Sequence, residues 1–153
     1  MFGKTLTQYL RFQRVVLALV VLAWIVRLTL SLAGTPNATA KWISVTAVLL
    51  FGVLYYGVAV HTHSFGSYKQ LYPLVLFQSL LGEGLVALAI VLAILTGRDN
   101  IYTAPEYSGG GDGKTWFHVV AHLVVGAVIL PLVSWGISSV VLLVTKKVAP
   151  RPA

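Results

Sequence analysis

Four uninterrupted apolar stretches, each long enough to cross a bilayer, decide most of what this chain can fold into. They lie at about residues 15–33, 42–60, 73–96 and 115–145. A helix rises 1.5 Å per residue, so about 20 apolar residues cross a hydrocarbon layer of about 30 Å. Membrane barrels are built from strands of roughly ten residues with alternating polarity, which continuous runs of this kind cannot supply. The expected fold is therefore all-α: a polytopic membrane protein, a single domain over residues 1–153, forming a four-transmembrane-helix bundle with an extramembrane loop at 97–114.

Composition points the same way. Hydrophobic residues make up 58% of the chain and charged residues 10%, whereas a soluble domain keeps its surface wet with about 25% charged residues. There is no cysteine, which removes disulfide scaffolds, cysteine nucleophiles and thiolate metal sites. The net charge of +7 would point to nucleic acid in a soluble protein, but here the basic residues flank the apolar runs. They are topology signals, and no nucleic-acid partner is expected. With the N-terminus inside, Lys4, Arg11, Arg14, Lys69, Lys146, Lys147 and Arg151 lie on the cytoplasmic side, against Lys41, Arg98 and Lys114 outside. This imbalance places both termini in the cytoplasm of a multi-pass protein of a bacterial-type inner membrane.

Local signals mark the helix ends. Gly34, Thr35 and Pro36 stop the first run, and Pro73 is expected in the first turn of the third, where its missing N–H costs nothing. The fourth run is longer than a straight crossing requires, so it should tilt, kink at Pro131 or project past the membrane. Segment 97–114 carries Asp99, Glu106, Asp112, two tyrosines and a run of glycines. It is either a passive linker or a cover over one mouth of the bundle.

The informative residues are the few polar groups within the spans, because ionisable side chains in hydrocarbon need a partner or a wet cavity. Arg27 on the first helix and Glu83 on the third differ in depth by about 7 Å at 1.5 Å per residue, a gap their side chains can close together. An Arg27–Glu83 ion pair is the expectation. His118 and His122 stack one turn apart on the fourth helix. A lone pair of histidines at this spacing lacks the third ligand of a metal site, so no metal is expected. Haem b is an alternative, but His61 and His63 belong to the inner end of the second helix and His118 and His122 to the outer half of the fourth. Paired axial ligands would therefore need a second chain. At the inner interface His61, His63, Tyr68 and Lys69 read as anchoring groups that could also hold a phosphate or quinone-like head group. Gly82, Ala89 and Ala93 form a small-residue seam that favours close helix contact or dimerisation.

No nucleophile elbow, phosphate-binding glycine loop or pair of neighbouring carboxylates occurs, so no catalytic residue is named and the chain does not read as a stand-alone enzyme. The expected function is binding of a lipophilic small molecule or lipid, or docking of a membrane partner, around Arg27, Glu83 and His122. Two alternatives are an oligomeric proton- or cation-coupled transporter using Glu83, and a redox subunit holding haem b or quinone through His118 and His122. Expected partners are membrane lipid and a homodimer or larger membrane complex.

Overall fold

The computed structural model describes residues 1–149; Arg151, counted above among the flanking charges, lies outside the described residues. Helix α1 spans Leu6–Leu32 and starts well before the apolar run does. The cause is a capping box: the Thr5 hydroxyl accepts from the Gln8 N–H at 3.2 Å, and the Gln8 side chain accepts from the Thr5 N–H at 2.8 Å. Arg11 and Arg14 therefore ride on the helix, exposed, with their apolar stems along its side.

A short turn of helix, α2 (Asn37–Ala40), leads into α3 (Val45–Thr62). Helix α4 covers Tyr68–Thr96 and ends on Gly97, whose φ of 70° is the left-handed conformation that glycine adopts without strain. A second capping box, Ser67 with Gln70, starts α4 a turn earlier than the proline signal implied. Pro73 thus lies inside the helix rather than in its first turn.

The fourth run forms α5 (Trp116–Val124), a π-helical turn at Val125–Ile129 and α6 (Leu130–Val148). The expected disturbance at Pro131 is met by this wide turn, in which the Leu130 N–H reaches back to the Val125 carbonyl. Such a turn admits an extra residue where a proline interrupts the regular ladder. The whole run, Trp116–Val148, is 33 residues long.

The protein is all-helical: four helical segments are long and apolar enough to span a membrane, and no strand occurs among the described residues. Successive spans run antiparallel, and contacts show which ends meet. Gln70 donates to the Phe2 carbonyl at 2.7 Å, and His61 donates to the Ala149 carbonyl at 2.8 Å, so both ends of the described chain lie at one end of the bundle. Residues 33–44 and 97–115 close the other, here called the loop end.

Tyr9, Val53, Tyr56, Leu71, Leu74 and Leu142 form a core near the termini; Leu28, Val86, Ile90, Ile101, Tyr102 and Val119 form one near the loop end. Outward-facing Leu22, Phe51, Leu92 and Leu143 are exposed. An apolar outer surface of this kind is consistent with a membrane helical bundle. The small-residue seam is used inside the chain: a Cβ at Gly82 would lie 2.9 Å from the Leu49 side chain of α3, and Ala89 and Ala93 are buried. Two glutamines tie helices together inside the bundle. Gln78 donates to the Leu49 carbonyl at 3.1 Å, and Gln13 accepts from the Tyr56 hydroxyl at 3.4 Å.

Candidate functional site

The loop end holds the polar groups that the spans should not tolerate unaided. Arg27 is 8% exposed and keeps its charge in any environment. The Arg27–Glu83 ion pair does not form: among the described residues, no carboxylate lies at ion-pair distance from Arg27. A depth gap that side chains can close does not fix the face that each side chain leaves from. Arg27 turns towards the 97–114 segment, where its guanidinium carbon lies 5.1 Å from the Tyr102 ring centre and 5.4 Å from that of Tyr107. Aromatic faces attract a cation, more strongly when it is desolvated. They offer its N–H groups no in-plane acceptor, however, and Arg27 Nε is buried without a partner.

These residues, with Val45, Thr46, Val86, Ile101 and His122, line a cavity of about 180 Å³. The Tyr102 hydroxyl is also buried and unpartnered. Burial pushes its phenol up to about 12, with the Arg27 charge opposing. The 97–114 segment is the cover rather than the passive linker. Asn100 donates to the Ala89 carbonyl at 2.9 Å, Ser31 accepts from the Ile101 N–H at 2.8 Å, and residues Asn100 to Ala104 are buried. At its end Lys114 pairs with Asp99 and lies 3.8 Å from Asp112. The Asp99 hydrogen bond holds that ammonium above its ordinary range.

Glu83 finds a different partner. Its Oε2 lies 2.5 Å from His122 Nδ1, and His122 Nε2 lies 3.1 Å from His118 Nε2. His118 Nδ1 closes the chain on the Gly113 carbonyl at 2.9 Å. Two local features bring this about. Thr115 caps α5 by accepting from the His118 N–H at 3.2 Å, which fixes the first turn and stacks the imidazoles. Gly126, in the π turn, lets α4 come close: a Cβ there would lie 2.5 Å from Glu83 Cβ. The sequence reading missed this glycine's role, along with Tyr102 and Tyr107; a tyrosine pair in an otherwise small-residue loop was the available signal.

The expected cluster of Arg27, Glu83 and His122 is therefore two sites sharing a wall. His122 lines the Arg27 cavity, but both its ring nitrogens are engaged along the Glu83–His122–His118 chain. Both nitrogens of His118 are engaged too, so neither imidazole presents a free nitrogen to a haem iron. No group of three or more metal-ligating side chains capable of holding an ion occurs among the described residues.

The inner-interface set lies at the opposite end. His61 is buried and bonded to Ala149, and His63 Nδ1 lies 3.2 Å from the Ala59 carbonyl. The Tyr68 ring sits under the Lys146 ammonium at 4.2 Å, its carbonyl accepts from Trp135 at 2.8 Å, and Lys69 is exposed. His61, Ser64, Gly66, Ser67 and Gln70 surround a polar hollow of about 320 Å³ there. The chain matches no protein-family model, no curated protein and no solved structure.

Proposed function

We propose that this is a multi-pass membrane protein that binds a lipophilic small molecule with an anionic head group in the Arg27 cavity at the loop end. The single observation that carries this reading is Arg27 itself: a buried, permanent cation with no carboxylate at ion-pair distance among the described residues and an unpartnered Nε, facing a partly open cavity. Burying a charge without a partner is costly, and the two tyrosine rings compensate it only in part. A carboxylate entering the cavity would accept from the guanidinium in a charge-assisted bond, and the apolar walls at Val45, Val86 and Ile101 suit the hydrocarbon beside it. A neutral quinone-like carbonyl would satisfy the N–H groups but not the charge.

The test uses a fluorescent polyene fatty acid with protein in detergent micelles. Wild type is expected to bind it saturably, and Arg27→Gln to bind at least tenfold more weakly, in line with the loss of one charge-assisted bond. The methyl ester of the same acid should lose affinity in wild type by a similar factor. Equal affinity of wild type and Arg27→Gln overturns the reading, as does a preference for the ester.

The flanking charges support a membrane orientation with both termini cytoplasmic and the loop end outside. Reporter fusions at the N-terminus, after Lys69 and at the C-terminus should then report cytoplasm, and a fusion at Gly110 the opposite side. An N-terminal fusion found outside reverses the assignment.

A further inference from the structure

The hydrogen bonds around His118 and His122 can be counted in hydrogens. Three contacts are made: Gly113 carbonyl to His118 Nδ1, His118 Nε2 to His122 Nε2, and His122 Nδ1 to Glu83 Oε2. Each needs one hydrogen. A carbonyl oxygen only accepts, so His118 Nδ1 carries an N–H and its Nε2 presents a lone pair. An ionised carboxylate and two neutral imidazoles bring two hydrogens between them, one short. Without a third, either two Nε2 lone pairs face each other at 3.1 Å or a bare Nδ1 faces a carboxylate at 2.5 Å.

We infer that Glu83, His122 and His118 form a binding site for one excess proton, held between the two imidazoles and neutralised by the Glu83 carboxylate. The loaded chain has no net charge, which suits its position within apolar helices. The proton has two resting places. In one, His122 is an imidazolium against the Glu83 carboxylate. In the other, the Nδ1 proton of His122 has moved to Glu83 Oε2, leaving a neutral imidazole and a carboxylic acid; one N–H bond breaks, one O–H bond forms, and nothing else changes. The His122 side chain is 28% exposed and that of Glu83 12%, so the chain runs from the wetter side of α5 to a more enclosed carboxyl on α4.

Other charged groups near the chain do not replace this proton. Arg27 and the Tyr102 and Tyr107 phenols share the cavity that His122 lines. Lys114, next to Gly113, is paired with Asp99 and lies near Asp112. A metal ion between the two Nε2 atoms would have only these two protein ligands among the described residues, fewer than transition-metal sites use. The inference does not depend on a ligand in the Arg27 cavity.

The experiment is ¹⁵N NMR of the histidine rings of the full chain in lipid nanodiscs, followed as pH is varied in the presence of a chelator. A scalar coupling across the bond should join the Nε2 nuclei of His118 and His122, and both rings should report one common proton-uptake step, separate from those of His61 and His63. In Glu83→Gln the amide can donate to His122 Nδ1, so two neutral imidazoles complete all three contacts without the excess proton. That variant should stay folded and bind the proton at least tenfold more weakly. Independent titration of His118 and His122, absence of the coupling in folded wild type, or unchanged proton affinity in Glu83→Gln overturns the assignment. If added zinc chloride abolishes the coupling at equimolar ratio and the chelator restores it, the site is a metal site instead. The coupling is read in wild type, so the result stands even if the variant does not fold.

Discussion

Glu83→Leu is expected to lower unfolding stability by about 3 kcal/mol, the low end of the range for breaking a buried charged pair because one partner remains partly wet. The substitution leaves His122 Nδ1 without its acceptor and places two imidazoles together with no anion beside them. Glu83→Gln keeps a hydrogen-bonding group at the same distance and should cost less than about 1 kcal/mol, the net worth of an ordinary hydrogen bond. His122→Leu combined with Glu83→Leu should recover part of the loss, since replacing both partners by apolar groups can approach neutrality. Unfolding by SDS in mixed micelles measures all four proteins. Arg27→Met should add to Glu83→Leu without coupling, because no ion pair joins the two residues. Coupling above about 1 kcal/mol between Arg27 and Glu83 would contradict the observed partners.

Gly57→Val should be the other severe change, at about 3 kcal/mol, the upper end of overpacking costs. Gly57 packs directly against α6: a Cβ would lie 2.6 Å from Val141 Cβ and 2.9 Å from the Ser138 carbonyl oxygen. Backbone cannot rotate away as a flexible side chain can. The same contact holds the Ser138 hydroxyl on the Val53 carbonyl at 2.7 Å, so forcing the helices apart also strands a buried donor. Gly84→Ala and Gly136→Ala are the matched controls, since a Cβ at either meets nothing within 4 Å. Relieving the conformational freedom of glycine inside a helix should make each of these neutral or stabilising by roughly 0.5–1 kcal/mol. A Gly57→Val protein as stable as the controls would mean that α3 and α6 are not in contact at this point.

Both experiments probe features of different legibility in the sequence. Hydropathy over 15–33, 42–60, 73–96 and 115–145 was enough to place four helices, because hydrocarbon forces the backbone of every span to satisfy itself internally. It was not enough to place their ends. The helices run on into polar residues wherever a side chain caps them, as Thr5 with Gln8 and Ser67 with Gln70 do, and that is local hydrogen bonding to which an apolar average is blind.

Arg27, Glu83, His118 and His122 stood out as polar residues in apolar runs, and depth along each helix followed from counting at a fixed rise per residue. Their partners did not follow. Which face a side chain leaves from depends on the rotation of each helix about its axis, and rotation is set by packing: by Gly126 admitting Glu83 to α5, and by Tyr102 and Tyr107 drawing Arg27 towards the loop. By itself, then, the sequence determined four helices long and apolar enough to span a membrane, and which polar residues lie deep within them. Only the tertiary structure decided that Glu83 belongs to His122 and Arg27 to a cavity beside the loop, because pairing depends on azimuth, and azimuth is a property of helices in contact.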